Sequence, residues 1–230
     1  MFLILKTGST MKDFCVNYGD FEDWMIRYME VMRQYVKVVD VQKEQLPDNY
    51  DFDGILVSGA HEMVTDGYEW SENTAKWLRG AVEKEVPVIG VCYGHQLLAH
   101  AMGGVVGNHP KGPEIGTVDI TLTDAAKKDP IFKSLPKTFN VHVSHTQSVL
   151  TLPEGAVLLA SNDYEPHHAY RLGKNAWGVQ FHPEYDTIIS REYVLSQKDK
   201  VVNFESTLCS ISETIVANTI LSKFVEYCSE

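Results

Sequence analysis

One of the four cysteines, Cys92, occupies a position that is typical of a nucleophile. It ends the apolar run that starts at Val88, it is flanked by Gly90 and Gly94, and a helical pattern follows at once. A sharp turn from strand to helix raises the residue at the turn above the sheet, and the two glycines leave room where Cβ atoms would collide. The N-terminus of the helix favours a thiolate and a developing oxyanion. We therefore predict a nucleophilic cysteine, with a buried core cysteine in a glycine-rich turn as the alternative.

A cysteine nucleophile needs a base, and the base needs a group that orients it. The segment 177–184 offers both, because a predicted strand ends at His182 and Glu184 follows it after Pro183. Proline restricts the backbone between the two side chains and so limits their relative placement. We predict that His182 accepts the thiol proton and returns it to a leaving nitrogen, while Glu184 holds the other ring nitrogen.

An oxyanion formed at Cys92 needs two hydrogen-bond donors. The backbone N–H of Tyr93 is one candidate, because this residue follows the predicted nucleophile. The second candidate is the loop at Gly59, which comes after a predicted strand and so lies at the carboxyl end, where α/β sheets bind ligands. An ordinary strand-to-helix turn explains this loop equally well.

The elements that must position these residues alternate between strand and helix in the first half of the chain. Apolar, β-rich runs predict strands at 2–5, 36–41, 54–57 and 86–91. Helical patterns open at Asp20 and at Ser71, the latter running to about Lys84, and a third helix covers 95–102. In the first helix, large side chains recur at helical spacing: Trp24, Tyr28 and Met32. Strands separated by helices predict a parallel sheet that is covered on both faces.

The second half predicts an antiparallel portion of the same sheet. Runs with β character and short connections occur at 117–123, 139–143, 156–160 and 176–181. Apolar residues near helical spacing predict one amphipathic helix over 207–227. No linker-like stretch divides the chain, so we expect one α/β domain over residues 1–230 with a mixed, mostly parallel sheet.

Composition excludes several classes of function. The chain has 230 residues, with 20 basic and 31 acidic side chains and a net charge of −11, which argues against binding nucleic acid or an anionic membrane surface. No run approaches the ~18 apolar residues of a membrane helix, so we expect a cytoplasmic protein. No Cys-x-x-Cys pair is present, and nothing nearby completes a metal site at His167 and His168, which we expect in a loop or beside a substrate.

Together these segments resemble the triad type of the class I glutamine amidotransferase family. The resemblance rests on 90–96 and 181–184, with Glu114-Ile115-Gly116 between them and 144–149 similar to the glutamine-contacting segment of GMP synthetase-like members. It implies a flavodoxin-like α/β fold and hydrolysis of glutamine through a γ-glutamyl thioester. Thiolate chemistry on an amide needs neither a metal nor a nucleotide, so we expect no cofactor.

The resemblance also implies a role for each candidate residue. Cys92, His182 and Glu184 would form the triad, and Gly59 and Tyr93 would supply the oxyanion donors. Two further contacts are implied on the substrate side, the side chain of Gln96 and the backbone around His145 and Thr146.

The chain departs from the family pattern in two respects. The usual Gly-Gly-Pro loop is replaced by Ser-Gly-Ala-His-Glu over 58–62, and neither a nucleotide-binding loop nor a synthetase domain accompanies the triad segments. We therefore expect a stand-alone member that passes ammonia to a separate synthetase subunit, whose docking orders the loop after Gly59. The alternatives are a hydrolase of another γ-glutamyl compound with water as acceptor, and a non-enzymatic or redox-sensing relative.

Overall fold

The computed structural model describes residues 1–229 as eleven strands and seven α-helices. The strands are β1 (Phe2–Lys6), β2 (Val36–Asp40), β3 (Ile55–Val57), β4 (Val88–Val91), β5 (Val105–Asn108), β6 (Glu114–Leu122), β7 (Thr138–His145), β8 (Gln147–Thr151), β9 (Val157–Ser161), β10 (Ala169–Leu172) and β11 (Ala176–Val179). The helices are α1 (Lys12–Tyr18), α2 (Phe21–Met29), α3 (Glu69–Glu83), α4 (Tyr93–Ala101), α5 (Thr187–Ser196), α6 (Phe204–Ser210) and α7 (Ile215–Cys228).

A nine-stranded mixed sheet organises the fold, in the order β2-β1-β3-β4-β11-β10-β9-β6-β7. Strands β2, β1, β3, β4 and β11 pair in parallel, and the pairs from β11 to β7 are antiparallel. This arrangement confirms the predicted α/β class, with a mostly parallel sheet and an antiparallel portion in the second half. Because the carboxyl ends of β3, β4 and β11 lie side by side, the residues that follow them meet at one edge of the sheet.

Helices cover both faces of the sheet, as predicted. On one face, α2 and α7 pack their buried side chains against alternate strand residues such as Ile4, Leu56 and Ile89. On the other face, α3 and α4 pack against the intervening residues, including Leu5 and Val57. Burying one such leucine or isoleucine contributes about 1.5–3 kcal/mol to folding, so the alternation within each strand fixes which helices lie on which side.

The tail differs from the prediction of one helix over 207–227. It forms two helices, α6 and α7, which are bent by 61° relative to each other. The side chain of Asn140, on strand β7, donates hydrogen bonds to Ser212 Oγ and Glu213 O at 3.1 and 2.9 Å. These bonds hold the connecting segment against the sheet, so the helical path cannot continue through it.

Other boundaries also differ. Helix α2 ends at Met29 because Glu30 adopts a left-handed conformation with φ 57°, so Met32 lies outside the helix and is exposed. Helices α1 and α5 and the small sheet of β5 and β8 were not predicted. Among residues 1–229 no single helix is long and apolar enough to cross a membrane, although the bent pair α6 and α7 would meet that test together.

Candidate active site

The predicted nucleophile lies in a strained turn between β4 and α4. Cys92 has φ 50° and ψ −101°, a conformation that is costly for any residue other than glycine. The glycines on either side are required by close packing, since a Cβ atom on Gly90 would lie 2.3 Å from Gly94 O and one on Gly94 would lie 2.4 Å from Val57 O. The predicted strand–turn–helix arrangement around Cys92 is therefore confirmed.

This packing gives a prediction for Gly94→Ala. The added methyl group must push α4 away from β3, which should lower the free energy of unfolding by about 1–3 kcal/mol and slow the alkylation of Cys92 by iodoacetamide. Urea denaturation and mass spectrometry of the labelled chain measure the two effects. The comparison is Gly155→Ala, which strains the backbone at φ 77° but meets nothing within 4 Å and should therefore leave alkylation unchanged. Equal alkylation rates in the two variants would contradict the proposed need for glycine at 94.

His182 follows β11, and its position is fixed by contacts to its ring and to the turn that comes after it. Its Nδ1 lies 2.7 Å from Glu184 Oε1, and its ring stacks on Tyr185 with centroids 3.9 Å apart. From helix α7, Asn218 donates hydrogen bonds to Pro183 O and Tyr185 O at 2.7 and 2.9 Å. Burial by itself lowers the pKa of His182, but the negative charges of Glu184 and of Cys92 as a thiolate overcome it and raise the pKa to about 10.

The ring of His182 lies beside Cys92. A Cβ atom built on Gly59 would stand 3.3 Å from His182 Cε1 and 3.9 Å from Cys92 Cβ, so all three residues surround one point. Glu184 engages Nδ1, so Nε2 is the ring nitrogen left to hydrogen-bond the side chain of Cys92. The structure thus brings Gly59, Cys92 and His182 together.

The loop at Gly59 is fixed by two hydroxyl groups. The Thr7 hydroxyl donates to Ser58 O at 2.9 Å, and the Ser58 hydroxyl donates to Gly59 O at 3.0 Å. Ser58 O also accepts the N–H of Gly94 at 3.2 Å. Ser58 O and the Gly59 N–H belong to the same peptide group, and in a trans peptide they point in opposite directions. Anchoring Ser58 O therefore turns the Gly59 N–H away from the sheet interior.

Two backbone donors are consequently available next to the sulfur. Neither the N–H of Gly59 nor that of Tyr93 has an acceptor in the described part of the chain. Tyr93 can offer only its backbone, since its hydroxyl is engaged with Ser71 Oγ at 2.6 Å on the other side of α4. These are the two groups that the sequence singled out as oxyanion donors.

A cavity of about 270 Å³ opens at Cys92 and His182. Gln96 lines it, and its Nε2 is already used, donating to Gln147 O at 2.8 Å and to Gln180 Oε1 at 3.0 Å. The carbonyl oxygen Oε1 of Gln96 is therefore the atom left to meet a ligand. Thr146 also lines the cavity, and Ser144 O lies 3.9 Å from Cys92 Sγ.

The side chain of His145 forms hydrogen bonds that support the wall of the cavity, so it is not available to a ligand. Its Nδ1 lies 2.9 Å from Gln147 O, and its Nε2 lies 3.0 Å from Glu114 Oε2. Burial opposes ionisation of Glu114, but the hydrogen bonds from His145 and His168 dominate and hold the pKa of that carboxyl well below its usual range. With both ring nitrogens engaged, His145 has only its backbone to offer, which is the part that the sequence analysis assigned to substrate.

His167 and His168 lie in the turn before β10 and do not line the cavity. His167 Nδ1 is 2.6 Å from Val149 O, and His168 is fully buried with Nε2 3.4 Å from Glu114 Oε2. The predicted location in a loop is confirmed. No group of three or more His, Cys, Asp or Glu side chains in residues 1–229 is arranged to hold a metal ion.

Several residues at the site were missed in the sequence. Tyr185 stacks on His182, and Tyr193 and His61 line the cavity. Thr7 anchors the loop at Gly59 from the end of β1. The sequence did contain a signal for Thr7. This residue comes directly after strand β1, just as Ser58 comes directly after strand β3.

Comparison with known proteins places this chain in a family. The model of the glutamine amidotransferase class-I family matches residues 14–199. The chain is 33% identical over 166 residues to γ-glutamyl peptidase 5 of Arabidopsis thaliana, covering 70% of this chain and 64% of that protein. It is 32% identical over 174 residues to the glutamine-hydrolysing GMP synthase of Thermosipho africanus, covering 74% of this chain and 32% of the synthase.

Solved structures agree on the fold. A glutamine amidotransferase from Thermotoga maritima superimposes with a TM-score of 0.78 at 18% identity, covering 100% of this chain and 98% of the other. The chain spans less than two thirds of the length of either sequence relative, so the activities of those whole proteins do not transfer with the match. Because the family model covers most of its length, the chain belongs to the class I glutamine amidotransferase family.

Proposed function

We propose that this chain hydrolyses the side-chain amide of glutamine through a thioester on Cys92. The observation that carries the proposal is the meeting of three features at one point: a cysteine in a strained turn, two free N–H groups and a buried His182–Glu184 pair. Each is a requirement of acyl transfer by a cysteine nucleophile.

In the first step, Cys92 Sγ attacks the γ-carbonyl carbon and forms the C–S bond, while the carbonyl electron pair moves to oxygen. The resulting oxyanion lies between the N–H groups of Gly59 and Tyr93. The C–N bond then breaks, and His182 Nε2 gives its proton to the departing nitrogen, which leaves as ammonia. Before the attack, the raised pKa of His182, about 10, keeps its ring protonated at neutral pH, so the proton is in place when the substrate binds.

In the second step, water replaces the sulfur. His182, now neutral, removes a proton from the water as it attacks the thioester, and the same oxyanion position holds the second intermediate. Collapse releases glutamate and restores the thiolate beside protonated His182. Glu184 stays ionised throughout and fixes the ring so that Nε2 faces the sulfur.

Gln96 and the segment at 145–146 hold the substrate in this proposal. The free Oε1 of Gln96 accepts a hydrogen bond from the substrate, and the backbone of His145 and Thr146 binds its amino-acid end. Support comes from their place on the cavity wall and from the hydrogen bonds that fix Gln96 and His145 from behind.

The ammonia then passes to a separate acceptor enzyme. This part of the proposal is supported by the match to one part of GMP synthase, whose remaining length lies outside the matched region. The rival is hydrolysis of another γ-glutamyl compound with water as acceptor, and it is favoured by the match to a γ-glutamyl peptidase.

Steady-state release of ammonia from glutamine, and of amine from γ-glutamyl peptides, separates the two functions. An amidotransferase subunit should turn over glutamine slowly until its acceptor enzyme is added. A peptidase should cleave a peptide rapidly on its own and show no effect of cell extract. Rapid cleavage of a peptide with negligible glutaminase activity would overturn the amidotransferase assignment and leave the proposed triad standing.

The proposed chemistry needs only groups of the chain, and this gives a prediction for added reagents. Activity should be unchanged within twofold by a chelator or by removal of ATP, because the thioester divides the difficult step and the N–H groups stabilise the oxyanion. Ammonia release with EDTA or with apyrase measures this. Loss of activity that returns on adding a metal ion or ATP would contradict it.

A further inference from the structure

A hydrogen bond between two residues that line the cavity fastens the loop after β3 to helix α5. His61 Nε2, on the loop, lies 3.0 Å from the hydroxyl oxygen of Tyr193, on the helix. The same hydroxyl lies 2.9 Å from Thr10 Oγ1, and Tyr193 is only 4% exposed. Tyr193 therefore has fixed partners and little room to move.

Tyr193 also belongs to a closed circuit of aromatic rings beside His182. Successive centroid distances of 5.4, 5.6, 5.0, 5.8 and 6.1 Å join five side chains, in the order Phe21, Trp24, Tyr185, Tyr193, His61 and back to Phe21. Tyr185 in this circuit carries the stacked ring of His182. The circuit connects the loop after β3 to the ring that faces Cys92, although the two are far apart in the sequence.

We propose that His61 and Tyr193 are positioning residues, whose hydrogen bond keeps the Gly59 N–H directed at the oxyanion position. The inference rests on the proposed acyl transfer. Thr7 and Ser58 anchor the loop on its β3 side, and the His61–Tyr193 hydrogen bond anchors it two residues beyond Gly59. With both ends of the loop held, the Gly59 N–H has a defined direction, which the His61–Tyr193 hydrogen bond maintains.

The test compares Tyr193→Phe with the wild-type chain. This change removes one oxygen and keeps the aromatic packing, so kcat for glutamine or γ-glutamyl-p-nitroanilide should fall about tenfold while KM stays within twofold. Removing an oxyanion donor altogether costs ~10²–10³ in kcat, and a misdirected donor should cost less. Alkylation of Cys92 by iodoacetamide should be unchanged, because direct displacement forms no oxyanion.

Changes at His61 give a second measurement. His61→Leu should lower kcat in the same direction as Tyr193→Phe. The double variant should lose no more than Tyr193→Phe alone, since the hydrogen bond between the two residues is then already absent. His61→Gln should restore most of kcat, because its terminal amide can reach the position of Nε2. Tyr164→Phe is the control, since its hydroxyl bonds to Lys111 O at 2.6 Å on the loop before β6, away from the cavity.

Hydrogen exchange tests the same inference without activity. Backbone amides at 60–63 should exchange faster in Tyr193→Phe than in the wild type or in Tyr164→Phe. If Tyr193→Phe matches the wild type in exchange or in kcat, the positioning role is overturned. If the wild-type chain hydrolyses no γ-glutamyl compound, the proposed function fails. The exchange measurement still tests the His61–Tyr193 anchor independently. Exchange at 60–63 that is equal or slower in Tyr193→Phe than in the wild type would disprove the anchor.

Discussion

Cys92→Ala should abolish turnover, with kcat reduced roughly 10⁴-fold or more, because no other atom can form the thioester. The fold should be unaffected, since alanine at this position adopts the same backbone conformation and removes only a sulfur atom at the cavity. Ammonia release and the thermal midpoint, measured on the same preparation, check the two expectations.

The other three cysteines are matched controls. Cys15 and Cys209 are exposed, and Cys228 is half-buried against Gly54. Burial raises the pKa of the Cys228 thiol to about 12, which makes that thiol inert at neutral pH. Alanine at each of these three positions should leave kcat within twofold.

Labelling extends the same comparison. A glutamine-site alkylator should modify Cys92 and leave Cys15, Cys209 and Cys228 unlabelled, because of the four only Cys92 lines the cavity beside His182. Normal turnover in Cys92→Ala would disprove the mechanism, whatever the labelling shows.

The local parts of the site could be predicted from the sequence. The turn at Cys92 needs only a strand, two glycines and a helix in succession, and the His182–Glu184 pair spans three residues. Neighbours in the chain stay neighbours in the fold, so their spacing carries geometric information. The parallel strands were equally visible, because each is a short and nearly continuous apolar run.

The remaining contacts depend on pairs that are distant in the chain. The His61–Tyr193 hydrogen bond joins residues 132 apart, and the Thr7–Ser58 contact joins residues 51 apart. Nothing in the residue types identifies the partner, because the two members of each pair meet only through the tertiary fold. Strand β6 begins at Glu114, earlier than the predicted residue 117, since this charged side chain is buried against His145 rather than exposed.

Replacing His182 or Glu184 should separate proton transfer from orientation. His182→Ala should lower kcat for glutamine by about 10³–10⁴-fold, since the leaving nitrogen and the attacking water both lose their proton partner. Glu184→Gln should be impaired less, because the imidazole remains in place and loses only its ionised partner. Both variants should fold, as judged by cooperative thermal transitions. His182→Ala with normal turnover would require another base, and both nitrogens of His145 are already engaged.

The His182–Glu184 pair should also make the stability of the fold depend on pH. Burial lowers the pKa of His182 and the charges of Glu184 and Cys92 raise it, with a net value of about 10 against 6.5 for a free histidine. Because the pKa is higher in the folded state, the stabilisation from this group is complete below about pH 6.5 and is lost as the pH rises towards 10.

Glu184→Gln removes the larger of the two charges that raise the pKa of His182, so this pKa should fall and the loss of stability at high pH should become smaller. NMR titration of the His182 ring and urea denaturation between pH 6 and 10, in wild type and Glu184→Gln, measure both quantities. An unchanged pKa in Glu184→Gln would show that the carboxylate does not hold the proton on His182, and the assignment of Glu184 as its partner would then be wrong.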